Sequence, residues 1–223
     1  MALTKFNYNS FDVTPVASKA MAFNSNADGL STVTPGSIAL IKELTASSSA
    51  TLSFVDGTSD VVLDDTYPIY MFKFINIHPA TDGVDFMFQV SVDTGSSYGV
   101  AITNTYFRAF NYDGGEGQGV GYLTAEDFAQ STAFINVTED ESAGNANDEH
   151  LTGTFYLFNP SSTTFVKHFI TRFNYDTSSS GSFQDQYIAG YVNSTSAVDA
   201  VQFKYSSGNI DSGTIKLYGI KDS

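Results

Sequence analysis

A chain of 223 residues fits one large β-sandwich or barrel and does not require two cores. Lys and Arg number 10 against 24 Asp and Glu, a formal net charge of −14, which disfavours unassisted binding to nucleic acid or to an anionic membrane. The lack of cysteine excludes a disulfide framework and a thiolate metal site, and no window approaches a membrane-spanning apolar run.

The N-terminal stretch "MALTKFNYNSFDVTP" has neither a basic region nor an apolar run behind it, so no secretory signal is expected. Residues 1–36 scatter aromatics and two prolines among Asn, Ser and Asp without a sustained period of 2 or 3.6. They are expected to form an extended arm, followed by one β-domain over residues 37–223. From Ser37 onward, short apolar runs alternate with turn clusters at intervals of roughly ten residues, the spacing of an all-β sandwich. Strands are expected near Ile38 to Leu44, Thr51 to Val55 and Tyr70 to Ile77. In "VDFMFQVSV", Val84, Phe86, Phe88, Val90 and Val92 share one face, which predicts a half-buried strand. The turn "DTGSSYG" and the run "VAITNTYFRAF" follow it, and the two runs are expected to pair as antiparallel neighbours.

"GGEGQGVG" fits neither nucleotide-loop pattern, so its glycines are assigned to a tight or bulged hairpin rather than to phosphate binding. In "TAEDFAQSTAF", Thr124 can cap and Glu126 and Asp127 suit a helix start, predicting one helix of at most two turns. The acidic loop "TEDESAGNANDEH" could offer carboxylates of Glu139, Asp140, Glu141, Asp148 and Glu149 to calcium, but matches no EF-hand spacing and is expected to be a solvated surface loop. "GTFYLFNP" and "FVKHFITRFNY" are expected to pair. In the second, Phe165, Lys167, Phe169, Thr171 and Phe173 lie on one face. Three more strands are expected at Gln186 to Val192, Ala197 to Tyr205 and Thr214 to Ile220, the last serving as a closing strand.

About ten strands with hairpin connections predict two antiparallel sheets packed face to face, with jelly roll the leading topology and a closed barrel the alternative. No catalytic set is expected: no G-x-S-x-G elbow occurs, and His78, His150 and His168 have no metal-binding spacing. No cofactor and no metal are therefore expected. Tyr98, Asn111, Tyr112 and Tyr122, in loops and at their edges, suit either a glycan or a protein surface, because aromatic faces and amides serve both.

Four stretches, "FKFINIHPATDGVDFMFQVSVDTGSSYGV", "DFAQSTAF", "LFNPSSTTFVKHF" and "IAGYVNSTSAVDAVQFKYSSGNIDSGTIKLYGIK", resemble a group of proteins common in genomes of marine tailed bacteriophages, including phages of cyanobacteria. The ending is similar to that of phage tail and capsid accessory β-sandwich proteins, and the resemblance spans roughly Ile38 to Lys221. It implies a non-enzymatic virion component assembled in the host cytoplasm. The expected role is a capsid decoration (cement) protein bound to the major capsid protein or other virion proteins, and homo-oligomeric, with a trimer among the options. The alternative is a tail, fibre or knob component binding host surface glycan, with a glycan-degrading enzyme a distant third. Members of the group often begin near the equivalent of Ile38, so residues 1–36 depart from it. An arm of this length can reach on the order of 100 Å, with Phe6, Tyr8, Phe11, Val13, Val16, Met21 and Phe23 as its expected anchors.

Overall fold

The computed structural model describes residues 20–23, 30–33, 37–115, 117–138, 142–178 and 181–221. The chain divides into two compact units, Met1–Ala39 and Leu40–Ser223. In the first, β1 (Ala20–Phe23) and β2 (Leu30–Val33) pair antiparallel, Ala20 opposite Val33 and Phe23 opposite Leu30. A stretch without a sustained hydrophobic period thus still contains a two-stranded ladder, held by backbone bonds that periodicity does not report.

The second unit is an all-β sandwich. Twelve strands follow in chain order: β3 (Ile38–Thr45), β4 (Leu52–Val55), β5 (Ile69–Pro79), β6 (Phe86–Ser91), β7 (Ile102–Tyr112), β8 (Gln118–Tyr122), β9 (Ile135–Asn136), β10 (Leu151–Phe158), β11 (Lys167–Asp176), β12 (Ser182–Val192), β13 (Ala200–Tyr205) and β14 (Ile210–Ile220). Eight form one sheet in the order β3-β14-β5-β10-β11-β12-β7-β8, and four form the other, β4-β13-β6-β9. The recorded strand pairs are antiparallel. The pairing establishes a sandwich without singling out the double Greek key of a jelly roll.

Alternation decides which side of each strand is buried. On β11 the inward residues are Lys167, Phe169, Thr171, Phe173 and Tyr175, while His168, Ile170 and Arg172 point to solvent. Inward phenylalanines from both sheets interlock: Phe203 on β13 lies 4.9 Å from Phe74 and 5.5 Å from Phe72, both edge-on, and parallel to Phe86. Phe88 meets Phe155 at 4.9 Å and Phe169 at 5.2 Å, again edge-on. Edge-to-face contacts add to burial because the positive ring edge meets the negative face of its neighbour.

The strand containing Phe86 to Val90 does not pair with the one that follows it. β6 lies between β13 and β9 in the small sheet, and β7 lies between β12 and β8 in the large one. The connection, residues 92–101, is longer than the two to five residues usual for a hairpin, and it carries the chain across the ~10 Å between sheets so that both apolar faces meet. The pairing of β10 with β11 is as expected. So is the glycine-rich hairpin between β7 and β8, where Gly115 adopts a φ of 78° and the Tyr112 N–H donates to the Gly117 carbonyl.

The expected helix is a single 3₁₀ turn, Thr124–Glu126, preceded by Leu123, with no side-chain cap from Thr124. β7 captures the backbone groups that a longer helix would use. Leu123 N–H donates to Tyr106 O, Asn104 N–H to Phe128 O, and Ile102 and Ser131 exchange both bonds. The Asn104 side chain accepts from Phe128 N–H, and the Asp127 carboxylate accepts from Tyr106 N–H at 2.9 Å. Residues 123–131 therefore run as an irregular continuation of the sheet edge.

Lys167 is fully buried, and its Nζ donates to the carbonyls of Ser194 (3.1 Å) and Ser196. Burial pushes its ammonium pKa down. The lysine ties the start of β11 to the β12–β13 connection.

Phe203→Ala should destabilise the sandwich by about 4 kcal/mol, through lost transfer energy plus a cavity at the crossing of five rings. Lys167→Ala should cost about 1–3 kcal/mol by orphaning the two carbonyls. Urea titration followed by far-ultraviolet circular dichroism measures both, and a loss under about 0.5 kcal/mol for either would contradict this packing.

Candidate contact face

Antiparallel sheets can leave one face to water, and the large sheet does so on the side away from the small one. The strand registers align its outward residues in rows. Tyr122 on β8 is opposite Phe107 on β7, Phe107 opposite Tyr187 on β12, and Tyr187 opposite Arg172 on β11. Arg172 is opposite Thr154 on β10, Thr154 opposite Lys73 on β5, and Lys73 opposite Lys216 on β14. The Lys216 Nζ reaches Glu43 on β3 at 2.9 Å, so one row crosses all eight strands.

The row has an aromatic half and a cationic half, joined by a tight cluster. The Phe107 and Tyr187 rings are parallel, centroids 4.9 Å apart. The Arg172 guanidinium sits over Tyr187 at 5.2 Å, so both faces of that ring are covered. Asp185 accepts two bonds from Arg172, at 2.9 and 2.8 Å, and one from the Tyr187 hydroxyl at 2.9 Å. This fork holds the guanidinium pKa above its ordinary value and also raises that of Tyr187. At the aromatic end the Tyr122 hydroxyl bonds to Asp127 and lies 3.1 Å from Thr105 Oγ1. Phe107 is 42% exposed, Tyr122 59% and, in the next row, Ile170 52%. Large apolar groups at that exposure, held in place by neighbours, form a fixed exposed patch, the kind of surface on which contact costs little ordering.

Of the residues expected in contact loops, Tyr122 and Asn111 lie on this face, Asn111 opposite Gln118 and Phe183. Tyr112 is half-buried, edge-on to Phe110 and packed near Gly117. Tyr98 belongs to the β6–β7 connection, close to Gly95, and burial raises its pKa. The four therefore do not converge. Phe6, Tyr8, Phe11, Val13 and Val16 lie outside the described residues, while Met21 and Phe23 fall on β1. Phe107, Tyr187, Arg172, Asp185 and Lys73 went unmarked by sequence reasoning. Alternation within "TYFRAF" turns Phe107 away from Tyr106, but only the register across strands aligns it with Tyr187.

A polar cleft of about 300 Å³ lies at one end of the large sheet, lined by Asn76, His78, Asn147, His150, Asp211 and Ser212. Register breaks in β14 between Ile210 and Thr214 and in β10 between Leu151 and Gly153 open it, with Asn76 at a φ of 51°. His78 Nε2 lies 3.1 Å from the Ala146 carbonyl, and its Nδ1 is 3.9 Å from Asp211. Among the described residues no group of three or more His, Cys, Asp or Glu could hold a metal ion. In the acidic loop, Glu139, Asp140 and Glu141 lie outside the described residues, and the Glu149 carboxylate accepts the Ala146 N–H at 2.7 Å.

Compared with protein-family models, curated proteins and solved structures, the chain matches none.

In the β6–β7 connection, Asp93 accepts from the hydroxyls of Ser91 and Ser97 and from the Ser97 N–H, which lowers its carboxyl pKa to about 2. A carboxylate with a depressed folded-state pKa stabilises the turn fully above its unfolded pKa, and that contribution is lost as pH falls through the folded value. The Ser97 amide resonance should therefore titrate with a midpoint near 2. A midpoint at the ordinary aspartate value of about 4 would show that the three bonds do not persist in solution.

Proposed function

We propose that the chain is a structural component of a bacteriophage virion, a capsid decoration protein that works by contact rather than catalysis. The observation that carries this reading is the outer face of the large sheet, where Phe107, Tyr187, Arg172 and Asp185 form a fixed array at the surface. The resemblance of residues 38–221 to a group of marine tailed-phage proteins, and of the ending to phage tail and capsid accessory β-sandwich proteins, of which jelly rolls are one kind, supplies the setting. A separate unit at residues 1–39 supplies a second place of attachment, suited to the major capsid protein. Such a protein stabilises a shell by mass action, since it binds the assembled lattice and not its unfolded subunits.

The glycan reading is less well supported. A sugar ring stacks on an open aromatic face, and both faces of Tyr187 are taken by Phe107 and Arg172. The loop residues that might have formed a sugar site are dispersed. What this row offers outward is ring edges and charge, which suit a protein partner.

Deleting residues 1–36 should lower occupancy on empty capsids at least about tenfold, equivalent to ~1.4 kcal/mol of binding, while leaving the melting profile of the sandwich unchanged. Co-sedimentation with purified capsids followed by densitometry reads both copy number and occupancy. Full occupancy by the truncated chain would remove the N-terminal unit as the anchor, and a few copies per particle would remove the decoration role.

A further inference from the structure

The two halves of the outer row complement each other, and we infer that this face packs against the same face of a second copy around a two-fold axis. The inference rests on reading the face as a protein contact surface, and it names the partner.

Lys73 and Lys216 are directly opposed on neighbouring strands, a like-charge pair that costs stability in an isolated sheet. Glu43 neutralises Lys216, but Lys73 is exposed and has no ion-pair partner among the described residues. Lys73 therefore carries its charge to the surface of a chain of net charge −14, where a carboxylate of a partner can reach it. At the other end of the row stand the rings of Tyr122, Phe107 and Tyr187, with the carboxylates of Asp127 and Asp185 beside them.

Neighbouring strands are ~4.8 Å apart, so the row from Tyr122 to Glu43 is roughly 34 Å wide. A two-fold axis along the strand direction, between Arg172 and Thr154, reverses the row onto itself. It then sets Tyr187 of one copy against Lys73 of the next, Phe107 against Lys216, and Tyr122 against Glu43. The operation thus brings the Lys73 ammonium beside the Tyr187 hydroxyl and the Asp185 carboxylate that holds it, and the stem of Lys216 against the exposed Phe107, a complementarity of charge and of apolar surface. In the adjacent row the same operation sets Ile170 against Tyr156, apolar against aromatic, beside the axis. Aligned sheets cross at about −30° because of their twist, so contact is closest at the centre, where Tyr187, Arg172, Thr154 and Lys73 lie. Three outward positions along the strands add about 20 Å of length, giving roughly 700 Å² per copy, close to the ~800 Å² of a standard interface. The arrangement is isologous and therefore closes at two copies.

Sedimentation equilibrium of the full chain at tens of micromolar tests this. The expected mass is twice 24.0 kDa. Because the axis repeats every contact, Lys73→Glu and Tyr187→Ala should each weaken self-association by about tenfold or more. Lys204→Glu on the small sheet should leave association unchanged, and circular dichroism melting shows whether each variant folds. The chain has no cysteine of its own, so Thr154→Cys supplies a second readout: a short bis-maleimide should link it to its symmetry mate, whereas Lys204→Cys should not link. A monomer at these concentrations overturns the inference, as does a dimer indifferent to Lys73→Glu that fails to link at Thr154→Cys. A dimer that ignores capsids would keep the inference and remove the virion role, while a capsid-binding monomer would do the reverse.

Discussion

Everything in this sandwich depends on phenylalanines from two sheets meeting edge-on across a single interior. Phe203 and Phe86 come from the four-stranded sheet, Phe74, Phe155 and Phe173 from the eight-stranded one, and each ring fixes the tilt of the next. Ring contacts of this kind are directional, so they set the separation and angle of the sheets more sharply than aliphatic burial would. The absence of tryptophan fits such a layer, in which units of similar size repeat.

The sheets are of unequal width, and the unequal width accounts for the rest of the architecture. Four strands cannot cover eight. Towards β12 and β7, the inward residues accordingly change from phenylalanine to Gln184, Gln186, Asn104 and Thr171, and a non-strand segment bonds to β7 at Ile102, Asn104 and Tyr106. There the Asn104 side chain donates to the Glu126 carbonyl and the Gln186 side chain to the Tyr175 hydroxyl, while Thr171 Oγ1 and Gln186 Oε1 are buried without a hydrogen-bond partner. The segment at residues 123–131 is spread along β7 for the same reason. A free helix would leave that flank of the sheet open.

Much of the fold was legible in the sequence, because alternation over Phe86 to Val90 and Phe169 to Phe173 states which residues face inward. Neighbourhood was less legible. The run after Val92 looked like a hairpin partner and instead joins the opposite sheet, since alternation gives a face but not which strand lies alongside. The helix expected at Thr124 failed because local capping preferences were outweighed by unpaired groups on β7, a tertiary demand invisible to a short window. The candidate contact face was hidden for a third reason: Phe107, Tyr187, Arg172 and Lys73 are far apart in sequence, and only registry makes them a row.

The place of β14 has a kinetic consequence. It lies between β3 and β5, so β3 has no neighbour in the sheet until residues 210–220 arrive; the Thr45 and Thr214 hydroxyls that meet there are 169 positions apart. Closing so long a loop is entropically expensive, and folding slows as contacts become more remote in sequence. The meander β10-β11-β12 can form early from local pairings, while the flank beyond β5 waits with its ladder groups unsatisfied. During that interval the nascent sheet is open to strangers on the side of β5, and β14 ends the exposure by filling the gap.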